Sequence, residues 1–365
     1  MKLTITVQLK PTEIQAKRLL ATLERANEAA NQVSQTAWET RTFSKFKLQS
    51  LVYHSVKKTY GLTAQVVVRL VAKVADAYKL DKKRQRVFRP HGSIAYDERI
   101  LRFFSDKVSI WTLKGREVIP FVCGEKQRAM LKFRKGESDL VYREGKWYLF
   151  VTVDVVEPAP DEPDDFIGVD LGIVQIATTS EGQAYSGKAV NNVRARNIKL
   201  RQKLQKIGTK SAKRLLRKRR AKEARFAKQV NHEISKGLVQ TAKARKRGIA
   251  LEDLSGISRR ITARRKQQRY TLHSWGFNQL LQFVTYKARR EGVRVAIVAP
   301  AYTSQTCSEC GYCDKANRAT QAIFSCKKCL YVANADYNAA RVIRYLGRVS
   351  VGIPYAVSIN PARVA

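Results

Sequence analysis

The run Phe166–Ile173 reads FIGVDLGI, and its interpretation decides the fold. It is short, apolar and rich in Ile and Val, the composition of a buried strand. One carboxylate, Asp170, lies towards its far end between Gly168 and Gly172. Desolvating an unpaired carboxylate is costly, so Asp170 needs a partner. Taken alone, an Asp at a strand end reads as a cap for the next turn. Read as a metal-binding carboxylate on a nuclease strand, it requires further acids on neighbouring elements.

Downstream, Val174–Thr179 alternates as a second strand, Glu181-Gly182 makes a turn, and Gln183–Tyr185 begins a third strand. Three antiparallel strands opened by an Asp are how the ribonuclease H fold begins. Residues 194–247 then keep a helical period and hold 21 Lys or Arg against two acids, Glu223 and Glu233. A solvated face mixes signs; a face almost without acids is suited to neutralising phosphates. Arg201, Lys213, Arg217, Lys218 and Arg220 are the expected nucleic-acid contacts on these two packed helices. Arg264 and Arg265 extend them in the basic loop 259–269. Ile249–Leu254 reads as a strand ending in Glu252 and Asp253. Trp275 to Ala288 stripes a helix, and Val293–Ala299 is a further strand stopped by Pro300. Asp336 opens a short helix in NADYNAARVIRYL, and Gly347–Ala365 reads as a loosely held tail.

Asp170, Glu252 and Asp336 each stand where a strand ends or a helix begins. In a ribonuclease H fold the first strand, the fourth strand and the last helix meet at one place. Three carboxylates gathered there repel one another and call for hard divalent cations. Two Mg²⁺ ions about 4 Å apart suit in-line hydrolysis of a phosphodiester. Asp165 and Asp253 stand beside this set without belonging to it, since Asp253 falls on the opposite face of its strand from Glu252. Gly168 and Gly172 are expected to leave room for metal and nucleic-acid backbone to approach the strand.

Five of the six cysteines lie between Cys307 and Cys329. Cys307, Cys310, Cys326 and Cys329 form two CxxC pairs fifteen residues apart, the pattern of a structural four-thiolate zinc ribbon. Cys313 also pairs with Cys310 as CxxC. Gly311 follows Cys310 as zinc knuckles usually require, whereas Asp314 follows Cys313, so Cys307 and Cys310 are the expected ligands. Leu330 departs from the pattern where Gly is usual.

The N-terminal half opens with a strand, Leu3–Leu9, then a capping box of Thr12 and Gln15 heading a long amphipathic helix. Helices follow at about 46–59 and 63–80, then a basic run, Lys82–Arg89, then short strands over about 94–156 that suggest a small β-barrel or sandwich. Glu157–Asp165, EPAPDEPDD, is a linker. Seventy Lys and Arg against 30 Asp and Glu, a formal charge of +40, make nucleic acid the leading partner. No apolar run reaches the ~18 residues of a membrane span, and MKLTITVQLK lacks a signal peptide's apolar segment. A cytoplasmic, prokaryotic protein, nucleoid-associated when bound to DNA, is expected.

IGVDLGI, the basic helices, LEDLSGI, TSQTCSECG, FSCKKC and NADYNAA together resemble the TnpB family, most closely over about 164–345; LKPTEIQAKRLL adds a less specific likeness. The family comprises transposon-encoded RNA-guided DNA endonucleases related to the type V CRISPR effectors. The resemblance implies an α/β multidomain chain: a ribonuclease H-like (RuvC) nuclease with an inserted zinc ribbon, preceded by a β-barrel module with an inserted helical bundle. The implied layout is a wedge-like barrel over 1–10 and 90–160, a helical recognition module over 11–89, the nuclease over 161–301 and 333–346, the ribbon over 302–332 and a tail over 347–365. Asp170, Glu252 and Asp336 would hold Mg²⁺. A guide RNA from the transposon end would pair with target double-stranded DNA, and the N-terminal module would recognise a short flanking motif. Asn334-Ala335 stands where many relatives carry Asp-Arg. The alternatives are a cut-and-paste transposase and an RNA-guided repressor without cleavage. The intact acids count against the repressor, and the ribbon just before Asp336 counts against the transposase. The four scattered histidines never form the HxH pair of an HUH transposase.

Overall fold

The computed structural model describes residues 1–254 and 276–352, and the chain divides into two units, Met1–Val156 and a second from Glu157 onward.

In the first unit, β1 (Lys2–Leu9) leads into α1 (Glu13–Glu39), α2 (Lys45–Tyr60) and α3 (Ala64–Leu80). The chain then returns to sheet in β2 (Ile94–Tyr96), β3 (Leu101–Phe103), β4 (Lys107–Thr112) and β5 (Gly115–Val122). A short helix, α4 (Glu125–Met130), precedes β6 (Arg134–Arg143) and β7 (Lys146–Asp154). The capping box forms as the sequence requires: Thr12 Oγ1 accepts from the Gln15 N–H and Gln15 Oε1 accepts from the Thr12 N–H. Such a cap contributes about 1 kcal/mol. The sheet order is β2-β6-β7-β1-β5-β4-β3, with every neighbouring pair antiparallel. Its end strands, β2 and β3, are consecutive in sequence. The Tyr96 hydroxyl on β2 donates to the Trp111 carbonyl on β4 at 3.1 Å, so the sheet curls into a near-closed barrel. Ile5, Val7 and Leu9 alternate inward and share one core with Leu19, Leu23 and Val67 of the helices.

In the second unit, β8 (Phe166–Asp170), β9 (Gln175–Thr179) and β10 (Ala184–Ser186) run antiparallel. Two basic helices follow, α5 (Lys188–Ile207) and α6 (Lys210–Ala244). Then come β11 (Gly248–Glu252), α7 (Phe277–Glu291), β12 (Val295–Val298), the hairpin β13 (Ile323–Ser325) and β14 (Val332–Asn334), and α8 (Ala335–Val349). The sheet order is β10-β9-β8-β11-β12, with β11 parallel to both β8 and β12. Residue parity sorts the two faces. Ile167, Val169, Ile249 and Leu251 pack with α6 and α7. Phe166, Ala250, Ala296 and Val298 pack with Ile343 of α8.

Three expectations change. A Cβ on Gly168 would overlap the Ala340 carbonyl and the Arg344 backbone nitrogen. The space beside Gly168 therefore belongs to α8 and not to a metal or a nucleic acid, because the helix backbone lies directly on the strand. In the turn after Asp170, a Cβ on Gly172 would stand 2.7 Å from the Gln175 carbonyl, so that glycine permits the turn itself. The expected tail does not start at Gly347: Gly347–Val349 complete α8, and Gly347 is buried against Ala250 and Phe166. Arg264, Arg265, Trp275 and residues 353–365 lie outside the described residues.

Candidate active site and metal centre

Parity explains why three acids distant in sequence converge. Asp170 follows Phe166 and Gly168 on the α8 face of β8, and Glu252 follows Ala250 on the same face of β11. Asp336 stands in the first turn of α8 itself. Asn334 caps that turn, its Oδ1 accepting from the N–H groups of Asp336 and Tyr337 at 3.0 and 3.1 Å.

The electrostatics register the convergence. Asp170 is pushed up to about 8, first by burial, then by the charges of Glu252 and Asp336; Arg318 acts the other way. Glu252, 6% exposed, is raised by burial, opposed by the Thr303 hydroxyl that donates to its Oε1. Asp336 is raised by burial and opposed by Arg318, whose Nη2 lies 3.9 Å from its Oδ1. Carboxylates raised in this way have the chemistry that hard divalent cations neutralise, but among the described residues the four cysteines below are the group whose ligand atoms lie close enough together to hold an ion. Asp253 lies just past the end of β11, its N–H still donating to the Val298 carbonyl of β12 at 2.8 Å.

Asp165, set aside in the sequence, ties the sheet to α8. Arg344 grips it with two nitrogens, and Arg348 and Arg247 approach at 3.4 and 3.8 Å. Burial would raise this carboxyl, but the Arg344 hydrogen bonds and the Phe166 N–H hold it below the ordinary carboxylate value.

The sulfur ligand atoms of Cys307, Cys310, Cys326 and Cys329 all lie within 4.8 Å of one another. Cys307 Sγ is 3.7 Å from Cys329 Sγ, and Cys310 Sγ is 3.6 Å from Cys326 Sγ. A tetrahedron with metal–sulfur bonds of ~2.3 Å has edges of about 3.8 Å, so this set fits Zn²⁺. Burial pushes the Cys307 thiol up. Cys326 also feels burial, but the N–H groups of Cys329 and Lys328 bring it down to about 7. Cys313 stands outside the set, its backbone bridged to Thr306.

The two knuckles repeat one another. Cys307 N–H donates to Tyr312 and Gly311 N–H to Cys307; Cys326 N–H donates to Tyr331 and Leu330 N–H to Cys326. Gly311 has φ +72° and Leu330 φ +60°. Leu330 therefore takes up the glycine conformation at a cost of about 1–2 kcal/mol.

Thr303, Arg318 and Asn338 escaped the sequence reading. Asn338 latches the ribbon to α8: its Oδ1 accepts from the Ser308 N–H at 3.0 Å and its Nδ2 donates to the Thr306 carbonyl at 2.8 Å. Thr303 and Asn338 fall inside the recognisable runs TSQTCSECG and NADYNAA, the one signal available for them. On the basic helices, Lys213, Arg217, Lys218 and Arg220 are exposed along α6. Arg201 is half-buried on α5, 3.8 Å from Glu223.

Residues 149–255 match a family model described as a probable transposase, and residues 277–343 one described as a Cas12f1-like TNB domain. The chain is 29% identical to the CRISPR-associated endodeoxyribonuclease Cas12f1 of Sulfoacidibacillus thermotolerans, over 92% of this chain and 94% of that protein. It is 33% identical to a TnpB-like protein of Methanocaldococcus jannaschii over 38% of this chain and half of that one. These matches support the TnpB family. A Cas12f1 solved with sgRNA and target DNA has the same fold (TM-score 0.63, 16% identity), covering 91% of this chain and 83% of that one. Among the described residues, no helix is long and apolar enough to cross a membrane.

Proposed function

We propose that this protein is an RNA-guided DNA endonuclease whose reaction centre is Asp170, Glu252 and Asp336. The observation that carries the reading is the meeting of three carboxylates on one sheet face, each raised by burial. The five-stranded sheet, three strands antiparallel and two parallel, is read as ribonuclease H-like, with the ribbon inserted before α8. The near-closed barrel is read as the wedge-like module and α1–α3 as the recognition module. The related Cas12f1 is named an endodeoxyribonuclease, and a Cas12f1 has been solved on sgRNA and target DNA. Guide RNA and target DNA are accordingly the proposed partners here, in a cytoplasmic protein that joins the nucleoid when bound.

Asp170, Glu252 and Asp336 would hold Mg²⁺, which when bound supplies an activated water and stabilises the leaving oxygen. Thr303 fixes the Glu252 carboxylate by donating to it. Arg318 sets a positive charge beside Asp336, where the charge of a phosphodiester must be borne. The thiolates Cys307, Cys310, Cys326 and Cys329 would hold a structural Zn²⁺ that fixes the segment bearing Arg318. All three acids are present, so nothing in the chain favours a repressor that binds without cutting.

The test is to purify the protein with its RNA, sequence that RNA, and incubate the complex with matching and non-matching DNA. Mg²⁺-dependent cutting of the matching DNA alone is expected, lost in Asp170→Ala with RNA retained. Cutting that persists in Asp170→Ala removes that residue from the mechanism.

A further inference from the structure

The basic run Lys82–Arg89 has no part in the chemistry above, yet the fold holds it firmly. It is extended and belongs to no sheet among the described residues. Side chains of α1 and α3 pin its main chain instead. Asn31 takes both backbone groups of Phe88, Nδ2 donating to the carbonyl at 2.9 Å and Oδ1 accepting from the N–H at 2.7 Å. One turn earlier on α1, Asn27 Nδ2 donates to the carbonyls of Pro90 and Gly92 at 3.1 and 2.8 Å. One turn later, Ser34 Oγ donates to the Arg86 carbonyl at 2.6 Å, and the Tyr78 hydroxyl accepts from the Arg86 N–H at 3.2 Å. Lys73 Nζ locks Asn27 from the other side, donating to its Oδ1 at 2.8 Å and to the Ser93 carbonyl at 2.7 Å. Asn27, Ser34 and Tyr78 are fully buried. Positions 27, 31 and 34 share one helix face, which makes a ladder for a single extended strand.

A segment reading KKRQRVFR has the composition of a solvated, disordered run. Ordering it costs about 1–2 kcal/mol per residue in backbone entropy. Were its role only to cover α1, its apolar residues would turn inward. Phe88 does, but Val87 is 79% exposed, and Lys82, Lys83, Gln85 and Arg89 are exposed beside it. The ladder therefore presents these side chains, already ordered, to a partner. Their charge selects a polyanion. Single strands are held by stacking bases on exposed aromatic rings, and the presented set contains none. Alternate residues of an extended strand stand about 6.8 Å apart. Arginine, glutamine and a small aliphatic group at that spacing suit the edges of guanine, adenine and the thymine methyl in a duplex groove.

We infer that Lys82–Arg89 is a pre-ordered arm for double-stranded DNA. Lys82 and Lys83 lie on phosphates, and Gln85, Val87 and Arg89 enter the groove. The assignment rests on the DNA-binding function proposed above.

Two measurements test it. In the first, the protein–RNA complex is bound to matching duplexes whose flanking base pairs are randomised. Gln85→Ala with Arg89→Ala should weaken DNA binding about tenfold or more and flatten the flanking preference, with RNA retained in full. Asn31→Ala should act in the same direction, because it frees the arm without removing any DNA-facing side chain. Loss of RNA in place of DNA, or unchanged affinity and preference, overturns the arm. In the second, the RNA-free protein is titrated with unrelated duplex DNA across salt concentrations. Lys82→Ala with Lys83→Ala should reduce the slope of log affinity against log salt by ~2; an unchanged slope overturns the arm. A wild-type complex that ignores matched DNA would sink the nuclease reading, and the second measurement would still decide the arm.

Discussion

Asp170 and Glu252 stand side by side at the ends of adjacent parallel strands. The register that pairs Ala250 with Gly168 and Leu251 with Val169 makes them the next two positions, on the face that packs against α8. Their charges interact directly, and Glu252 helps to push the Asp170 carboxyl up to about 8.

That relationship predicts a pH dependence in the absence of added divalent cation. Unfolded Asp titrates near ~3.9. Between that value and about 8 the folded state keeps a proton on Asp170 that the unfolded state has released. Stability is therefore greatest at the acid end of the window and falls as pH rises, by at most ~1.4 kcal/mol per unit. Urea midpoints between pH 5 and 8 should decline for the wild type, and more gently for Asp170→Asn. Parallel curves for the two proteins would show that Asp170 carries no such proton. Added Mg²⁺ should raise the midpoint most at the alkaline end, where the carboxylates are ionised.

Gly168→Ala should destabilise the second unit by about 1–3 kcal/mol, as overpacking does elsewhere. The added methyl group meets the backbone of α8 at Ala340 and Arg344, which cannot yield as a side chain would. Because Asp336 rides on that helix, nuclease activity should fall with stability. Denaturant unfolding read alongside cleavage measures both, and a variant with wild-type midpoint would mean that α8 can move away.

Zinc content should survive Cys313→Ser and drop in Cys310→Ser, since only Cys310 lies in the four-sulfur set. Metal analysis of the purified variants distinguishes them, and equal zinc in both would undo the ligand assignment. Leu330→Gly should strengthen the ribbon by about 1 kcal/mol by relieving a positive φ. Slower zinc loss to a chelator is the expected readout.

Neutralising the exposed α6 residues Lys213, Arg217, Lys218 and Arg220 together should lower the salt slope of nucleic-acid binding by roughly 4. A slope that does not change would place the phosphates elsewhere on this chain.

Much of this protein was legible in one dimension because its signals are local. The Thr12–Gln15 capping box, the alternation of β1, the two CxxC pairs and the strand character of FIGVDLGI each depend on residues within one or two turns of one another. Even the three proposed acids are marked by position, since each ends a strand or opens a helix. What only the tertiary structure decided are relationships across the chain. Asp165 looked idle until Arg344 and Arg348 of α8 and Arg247 of the turn before β11 met it. Gly168 looked like an opening for ligand until α8 filled it. Arg318 and Thr303 carry no periodic or spacing signal, yet the fold sets them on the carboxylates of Asp336 and Glu252. Local pattern reports what one segment needs, a buried face or a cap; which distant side chain meets that need depends on how the sheet is ordered and which helix crosses it.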